Sequence, residues 1–419
     1  MKIVGLIAEY NPFHNGHKYH IEKAKELTNA DYAVVIMSGN FVQRGTPAIL
    51  DKYTRTEIAL KNGADLVLEL PICYSTASAE FFALGAISTL DKLGIIDSIC
   101  FGSECGDIEV LTQIAELLIN EPPKLSEFIT NYMKTGITYP LARTKAIVEY
   151  LKMCDNNTFS YDITELEKLL LSPNNILGIE YIKAIKRLNS SIVPTTIKRK
   201  DSNFHDTELN NSFSSATAIR KAFRENLIST VYSSIPENSV QLLEDRYQKT
   251  FPILDNDLSL LLKYKLLFEN TNTLTNYIDV SGGLENRISN LYNQYKDFQD
   301  FALLLKTKHL TLTRVTRALL HILLNIRIDT YGTIITSGTI KYARILGFRK
   351  ESSHLIKSIK NMDQIVLITK MADAKSLLDE TGSILLDLDV LATDLYNSIV
   401  YQKFGYEIKN DYLHEIVII

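Results

Sequence analysis

Short apolar runs alternate with stretches whose apolar residues recur every three or four positions through the first half of the chain. That is the pattern of a parallel sheet whose strands are joined by helices. Strands are expected over residues 2–8, 32–37, 65–70 (closed by Pro71), 98–101 and 193–198. A helix is expected from about 15 to 29, where Ile21, Ala24 and Leu27 repeat at helical spacing. Residues from about 107 to 170 read as helices inserted between the fourth and fifth strands, over 108–119 and 162–171, with a break at Glu121-Pro122-Pro123. Past about 226 strand signals become few. Residues 240–264, 312–325, 339–346 and 385–404 all read as helical. The expected fold class is therefore α/β. An N-terminal Rossmann-like domain with a parallel sheet spans 1–228, and a mostly α-helical C-terminal domain spans 229–419.

Composition narrows the class without naming a chemistry. The 419 residues are 46% hydrophobic and 22% charged, as in an ordinary globular enzyme. A formal net charge of −4 gives no global basic signal, so any nucleic-acid contact must come from local clusters. No apolar run approaches the ~18 residues of a membrane span, and the first residues carry no signal-peptide pattern. A cytoplasmic protein with no membrane partner is expected. Cys73, Cys100, Cys105 and Cys154 show no CxxC spacing, so reduced structural cysteines are expected rather than a zinc site.

The chemistry begins where the first strand ends. Val4-Gly5-Leu6-Ile7 runs into Ala8-Glu9-Tyr10-Asn11-Pro12-Phe13-His14-Asn15-Gly16-His17, then Lys18-Tyr19-His20. Proline cannot extend the strand, and Gly16 lets backbone approach a ligand closely. The helix that follows offers free N–H groups and a positive dipole end to an anion. His14 and His17 beside it can donate to phosphate oxygens, as attack at phosphorus requires. A second helix start lies at Ser214-Ser215-Ala216-Thr217-Ala218-Ile219-Arg220, where Ser215 is a good N-cap and Arg220 sits one turn in. The pairing of the two elements resembles that of the α/β nucleotidylyl transferases, which implies ATP-dependent adenylyl transfer with His14, His17 and Arg220 carrying the developing charge.

Further candidates lie at strand ends, where ligands of open α/β sheets bind. They are the Ser38-Gly39-Asn40 turn with Gln43 and Arg44, Gly102, and Lys198-Arg199-Lys200. Ser172-Pro173-Asn174-Asn175 leads into another helix and offers amides to a base or ribose. His14, His17 and His20 lack an accompanying ligand set, so no protein-held metal is expected, and Mg²⁺ would arrive on ATP. In the helical half, Lys306, Lys308, Arg314 and Arg317, with Lys341, Arg344, Arg349 and Lys350, are candidate contacts to an RNA backbone.

The run Ser38-Gly39-Asn40-Phe41-Val42-Gln43-Arg44-Gly45, with the three motifs above and Arg344-Ile345-Leu346-Gly347-Phe348, resembles the bacterial tRNA(Met) cytidine acetate ligases. These are nucleotidylyl transferases of the His-x-Gly-His type, and the resemblance runs the length of the chain. It implies that acetate and ATP give acetyl-adenylate, which acetylates N4 of the wobble cytidine of elongator tRNA(Met). By motif match ATP would contact Ile7–His20, Gly102, Asn174 and Arg199, with Ser215 and Thr217 at the second helix start. His309, and the glycine-free Asp201-Ser202-Asn203-Phe204-His205, depart from the family pattern. The alternatives are a small-cofactor adenylyltransferase and a non-catalytic RNA-binding protein that keeps a nucleotide pocket.

Overall fold

The computed structural model describes residues 1–154, 162–199 and 214–419. Its centre is a sheet in the order β10-β8-β5-β2-β1-β6-β7, with β9 paired to β8. The strands are β1 (Ile3–Ala8), β2 (Tyr32–Ser38), β5 (Leu66–Leu70), β6 (Ser98–Ser103), β7 (Val193–Lys198), β8 (Tyr342–Phe348), β9 (Val366–Ile368) and β10 (Val417–Ile418), while β3 (Phe41–Val42) and β4 (Thr46–Pro47) form a separate hairpin. From β5 to β7 all neighbours run parallel. Ile3, Val34, Ile36, Leu66 and Leu68 belong to one buried cluster, and Val4, Leu6, Ala33, Val35 and Val67 to another. Alternate residues feed opposite faces, which is why these strands are apolar at nearly every position.

Order reverses at β1. β1 pairs with β2 over the whole of its own length, from Ile3↔Tyr32 to Ala8↔Met37. β6 meets β1 only at Val4↔Ser98 and Gly5↔Ile99. Beyond those two pairs β1 and β6 part, and the crevice of a doubly wound sheet opens between their carboxyl ends. The helices Ile108–Asn120, Pro123–Lys134, Tyr139–Met153, Ile163–Leu171 and Pro173–Arg187 lie between β6 and β7.

Two expectations fail in the second half. Residues 339–346 are not a helix: Tyr342–Phe348 forms β8, antiparallel to β5. What holds Arg344 inside a sheet is distant in sequence. Its Nη1 lies 2.6 Å from Asp411 and 3.1 Å from Glu69, and its Nη2 donates to Tyr53 at 2.6 Å. Lys52 Nζ completes the cluster, 2.8 Å from Glu69 and 3.0 Å from Asp411. Two cations thus face two carboxylates, all buried, as buried charges require. Likewise 240–264 is not one helix but two, Glu237–Arg246 and Ser259–Leu266. Between them Tyr247 bridges to Phe251, and Pro252 offers no N–H. The remainder of the second half is mainly helical, ending in the long helix Glu380–Phe404.

Candidate active site

The chain leaves β1 through Tyr10, whose backbone is left-handed at φ 47°, and a cis Asn11-Pro12 bond. His14 is the N-cap of the helix Asn15–Thr28. Its Nδ1 accepts from the Gly16 N–H at 3.1 Å, and His17 Nδ1 accepts from the His14 N–H at 3.2 Å. The two rings stack with centroids 3.8 Å apart. Because both Nδ1 atoms accept, the proton of each neutral ring sits on Nε2, making it a donor. Burial, then the charges of Arg199 and Arg220, push the His14 pKa down to about 3. Burial and the neighbouring His14 hold His17 well below the ordinary histidine value. Both rings are thus neutral N–H donors at physiological pH. Gly16 has to be small, since a Cβ there would lie 2.9 Å from the His14 ring.

Across the crevice, Ser215 caps the helix Ala216–Arg224 by accepting from the Ala218 N–H at 3.1 Å. Arg220 projects from its first turns. Nη1 donates to the Asn11 carbonyl at 2.7 Å, and Nη2 to Thr217 Oγ1 at 3.2 Å. Burial, then repulsion from Arg44, lowers its pKa to about 10, so it stays charged. The β3–β4 hairpin closes one side, where the Gln43 N–H donates to Glu9 Oε1 at 3.0 Å. Behind it the buried Arg55 gathers the carbonyls of Glu9, Ser38, Gly39 and Leu50. Glu104 caps the helix Pro173–Arg187, accepting from the Asn174 amide at 2.7 Å and the Asn175 N–H at 2.9 Å.

These groups enclose a cavity of roughly 290 Å³. Of the residues expected at the nucleotide, Ile7, Ala8, Glu9, Tyr10, Asn11, His14, Gly16, His17, Tyr19, His20, Gly102, Asn174, Arg199, Ser215, Thr217 and Arg220 line it. Pro12, Phe13, Asn15 and Lys18 are not among its lining residues. Phe13 is in the core against Tyr10, Asn15 donates to the Ser233 carbonyl at 2.9 Å, and Lys18 is exposed. Gln43, Arg44 and Lys198 also line it, while Lys200 and residues 201–213 lie outside the described residues. Sequence reasoning missed the apolar wall of Phe82, Phe101, Leu177, Tyr181 and Ile197. Such residues in a strand or helix look like core, and no local signal marks them as lining. Among the described residues no group of three His, Cys, Asp or Glu side chains is placed to hold a metal.

The expected RNA contacts divide. Lys306 and Lys308 are exposed. Arg314 donates to Ser281 Oγ at 2.5 Å. Arg317 must be corrected: it is buried in a two-pronged pair with Asp279, at 2.8 and 3.3 Å, and offers no open face to a phosphate. Arg344 is likewise withdrawn by its buried partners, and Lys341 and Arg349 pair with Asp379 and Glu351.

The family model for the HIGH nucleotidyl transferases matches residues 1–411. The chain belongs to that family. It is 41% identical over 414 residues to the tRNA(Met) cytidine acetate ligase of Clostridium perfringens strain ATCC 13124, covering 99% of this chain and 98% of that one. To the protein of the same name from Caldanaerobacter subterraneus subsp. tengcongensis it is 40% identical, with both chains fully covered. These relatives place it among the tRNA(Met) cytidine acetate ligases of the family. Its fold is that of Thermotoga maritima TmcAL, with a TM-score of 0.94 and 33% identity over the whole of both chains. A second structure of that Thermotoga protein, solved with α-thio ATP, gives 0.91. No helix among the described residues is long and apolar enough to cross a membrane.

Proposed function

We propose that this chain uses ATP to join acetate to the N4 amine of the wobble cytidine of elongator tRNA(Met), forming N4-acetylcytidine in the cytoplasm. In the first step an acetate oxygen attacks the α-phosphorus of ATP. The bond to the β-phosphate breaks, and pyrophosphate leaves with the electron pair. In the second step N4 attacks the carbonyl carbon of acetyl-adenylate, AMP leaves, and N4 loses a proton. The observation that carries this reading is the convergence of His14, His17 and Arg220 on one cavity at a helix start. Two neutral N–H donors and a fixed cation, with Arg44 and Arg199 on the same cavity, suit a triphosphate and the charge that builds on it. Mg²⁺ fits as an ion carried by the phosphates and water, because Glu104 is already engaged by Asn174 and Asn175 and Glu9 by Gln43.

The RNA would lie across both halves of the chain, with residues 229–419 as its main platform and Lys306, Lys308 and Arg314 toward its backbone. Exchange of labelled pyrophosphate into ATP, measured without RNA, tests the first step. Exchange that depends on acetate supports the reading, and exchange indifferent to acetate defeats it.

A further inference from the structure

The turn between the helices Pro123–Lys134 and Tyr139–Met153 does not stand apart from the second half of the chain. At Gly136 it meets the ring of His309. A Cβ on Gly136 would lie 2.2 Å from His309 Cε1, and φ there is +83°, so glycine is required on both counts. Both sides of this contact lead back to the cavity. On one side, residues 306–309 run toward the helix Leu312–Leu323, which packs on β4 of the hairpin beside the cavity. On the other, the helix Tyr139–Met153 is joined to the helix Pro173–Arg187 by the buried pair of Arg143 Nη1 and Glu180 Oε1 at 2.7 Å. Asn174 and Leu177 of that second helix line the cavity. Three exposed lysines stand around the contact: Lys134, two residues before Gly136, and Lys306 and Lys308 just before His309. Among the described residues none of the three is ion-paired. Lys124, at the other end of the helix that carries Lys134, is instead paired with Glu127 at 2.9 Å.

We propose that this turn belongs to the RNA surface, with Lys134 contacting the tRNA backbone together with Lys306 and Lys308. This rests on the tRNA reading above, and it extends a surface placed mainly on residues 229–419 onto the catalytic half of the chain. Three unpaired cations spread over two elements suit an extended run of phosphates better than a single ion. His309 is the seat rather than a further phosphate contact, because its ring meets Gly136. Since both sides of the contact are braced on the cavity wall, an RNA bound across it has a fixed bearing on the nucleotide.

The test labels the full wild-type chain with an amine-reactive ester, with and without elongator tRNA(Met), and reads each lysine by mass spectrometry. The tRNA should slow labelling of Lys134 severalfold, in step with Lys306 and Lys308. Lys124 should label at an unchanged rate, since it lies about 15 Å back along the helix. Lys134→Glu should lower the log–log salt slope of tRNA binding by roughly 0.7–0.9, one phosphate contact, at an unchanged melting temperature. Unshielded Lys134 beside shielded Lys306 and Lys308 overturns the proposal, as does an unchanged slope in folded Lys134→Glu. Equal shielding of Lys124 and Lys134 also overturns it, because that marks a general coating. Shielding of Lys134 by polyglutamate but not by tRNA would mark the surface as one for an acidic protein, and again overturn it. Shielding of none of the three by tRNA would instead overturn the placement of the RNA on the helical half.

Discussion

Thr316 Oγ1 donates a 2.5 Å hydrogen bond to the carbonyl oxygen of Arg44. This joins the helix Leu312–Leu323 to the hairpin tip that lines the cavity, so the helical half of the chain bears directly on the catalytic half. Gly45 makes the approach possible. Its φ is +72°, and a Cβ on it would lie 2.3 Å from the Arg317 backbone nitrogen. Gly45→Ala should therefore push the hairpin off the helix. The left-handed backbone alone costs ~1–2 kcal/mol for a residue with a Cβ. We expect a lower melting temperature and a raised KM for ATP, read by calorimetry and pyrophosphate exchange. Thr316→Val should cost only about 1 kcal/mol.

His17→Ala should reduce acetate-dependent pyrophosphate exchange by roughly 10²–10³-fold, the usual effect of removing one preorganised donor to developing charge. The ring also packs against Tyr10 and Phe13 and accepts from the His14 N–H, so the variant should fold with a lowered melting temperature. Near wild-type exchange by the folded variant would remove His17 from the reaction.

The depressed histidine values set a pH dependence of stability. His14 and His20 titrate near 6.5 when unfolded but near 3 and 4 when folded. Between those limits the unfolded chain binds more protons, so their contribution is complete above about pH 6.5 and is lost as pH falls toward 3. Thermal melts from pH 7.5 to 5 should show a falling midpoint, with a shallower fall in His14→Gln. A midpoint that rises on acidification would contradict the neutral rings. Exchange activity should show no inflection near pH 6.5 from His14 or His17.

Lys306→Glu with Lys308→Glu should weaken tRNA binding and lower the log–log salt slope by roughly 1.4–1.8, the release expected for two phosphate contacts. Exposed charges contribute little to stability, so the melting temperature should hold. Arg317→Glu should behave differently. It places a second carboxylate against the half-buried Asp279 and should lower the melting temperature before any RNA is added. An unchanged salt slope in the lysine variant would place the RNA elsewhere.

β1, β2, β5 and β6 of the parallel core were legible because each is a short apolar run ending at a turn signal, while β7 is a mixed Val-Pro-Thr-Thr-Ile-Lys strand legible from its β-branched residues. His14, His17 and Arg220 were legible because polar residues at strand and helix ends mean chemistry. What stayed hidden depends on partners far away in the chain. Residues 339–346 were read as helical and Arg344 as a candidate RNA contact, because β5, which pairs with the segment, and Glu69 and Asp411, which neutralise the arginine, are remote in sequence. Arg317 looked like an RNA contact because nothing near it announces Asp279. Phe101 and Tyr181 are indistinguishable from core by type, and only the parting of β1 and β6 turns them toward a ligand.

Asp411→Ala should be among the most damaging substitutions outside the cavity. It would strand the buried cations Lys52 and Arg344 opposite a single carboxylate, and breaking such a pair typically costs 3–5 kcal/mol. Chemical denaturation should report the loss at unchanged m-value.

That cluster also imposes an order on biosynthesis. β5 leaves the ribosome with its outer edge bare, and its neighbour β8 follows only after about 270 more residues, on the order of tens of seconds at ~5–20 residues per second. Throughout that interval Glu69 and Lys52 lack Arg344 and Asp411, and β5 is an open edge of the kind that recruits foreign strands. Nascent or prematurely terminated chains should therefore be the aggregation-prone form of this protein, and a trailing chaperone would matter more to its yield than to its finished stability.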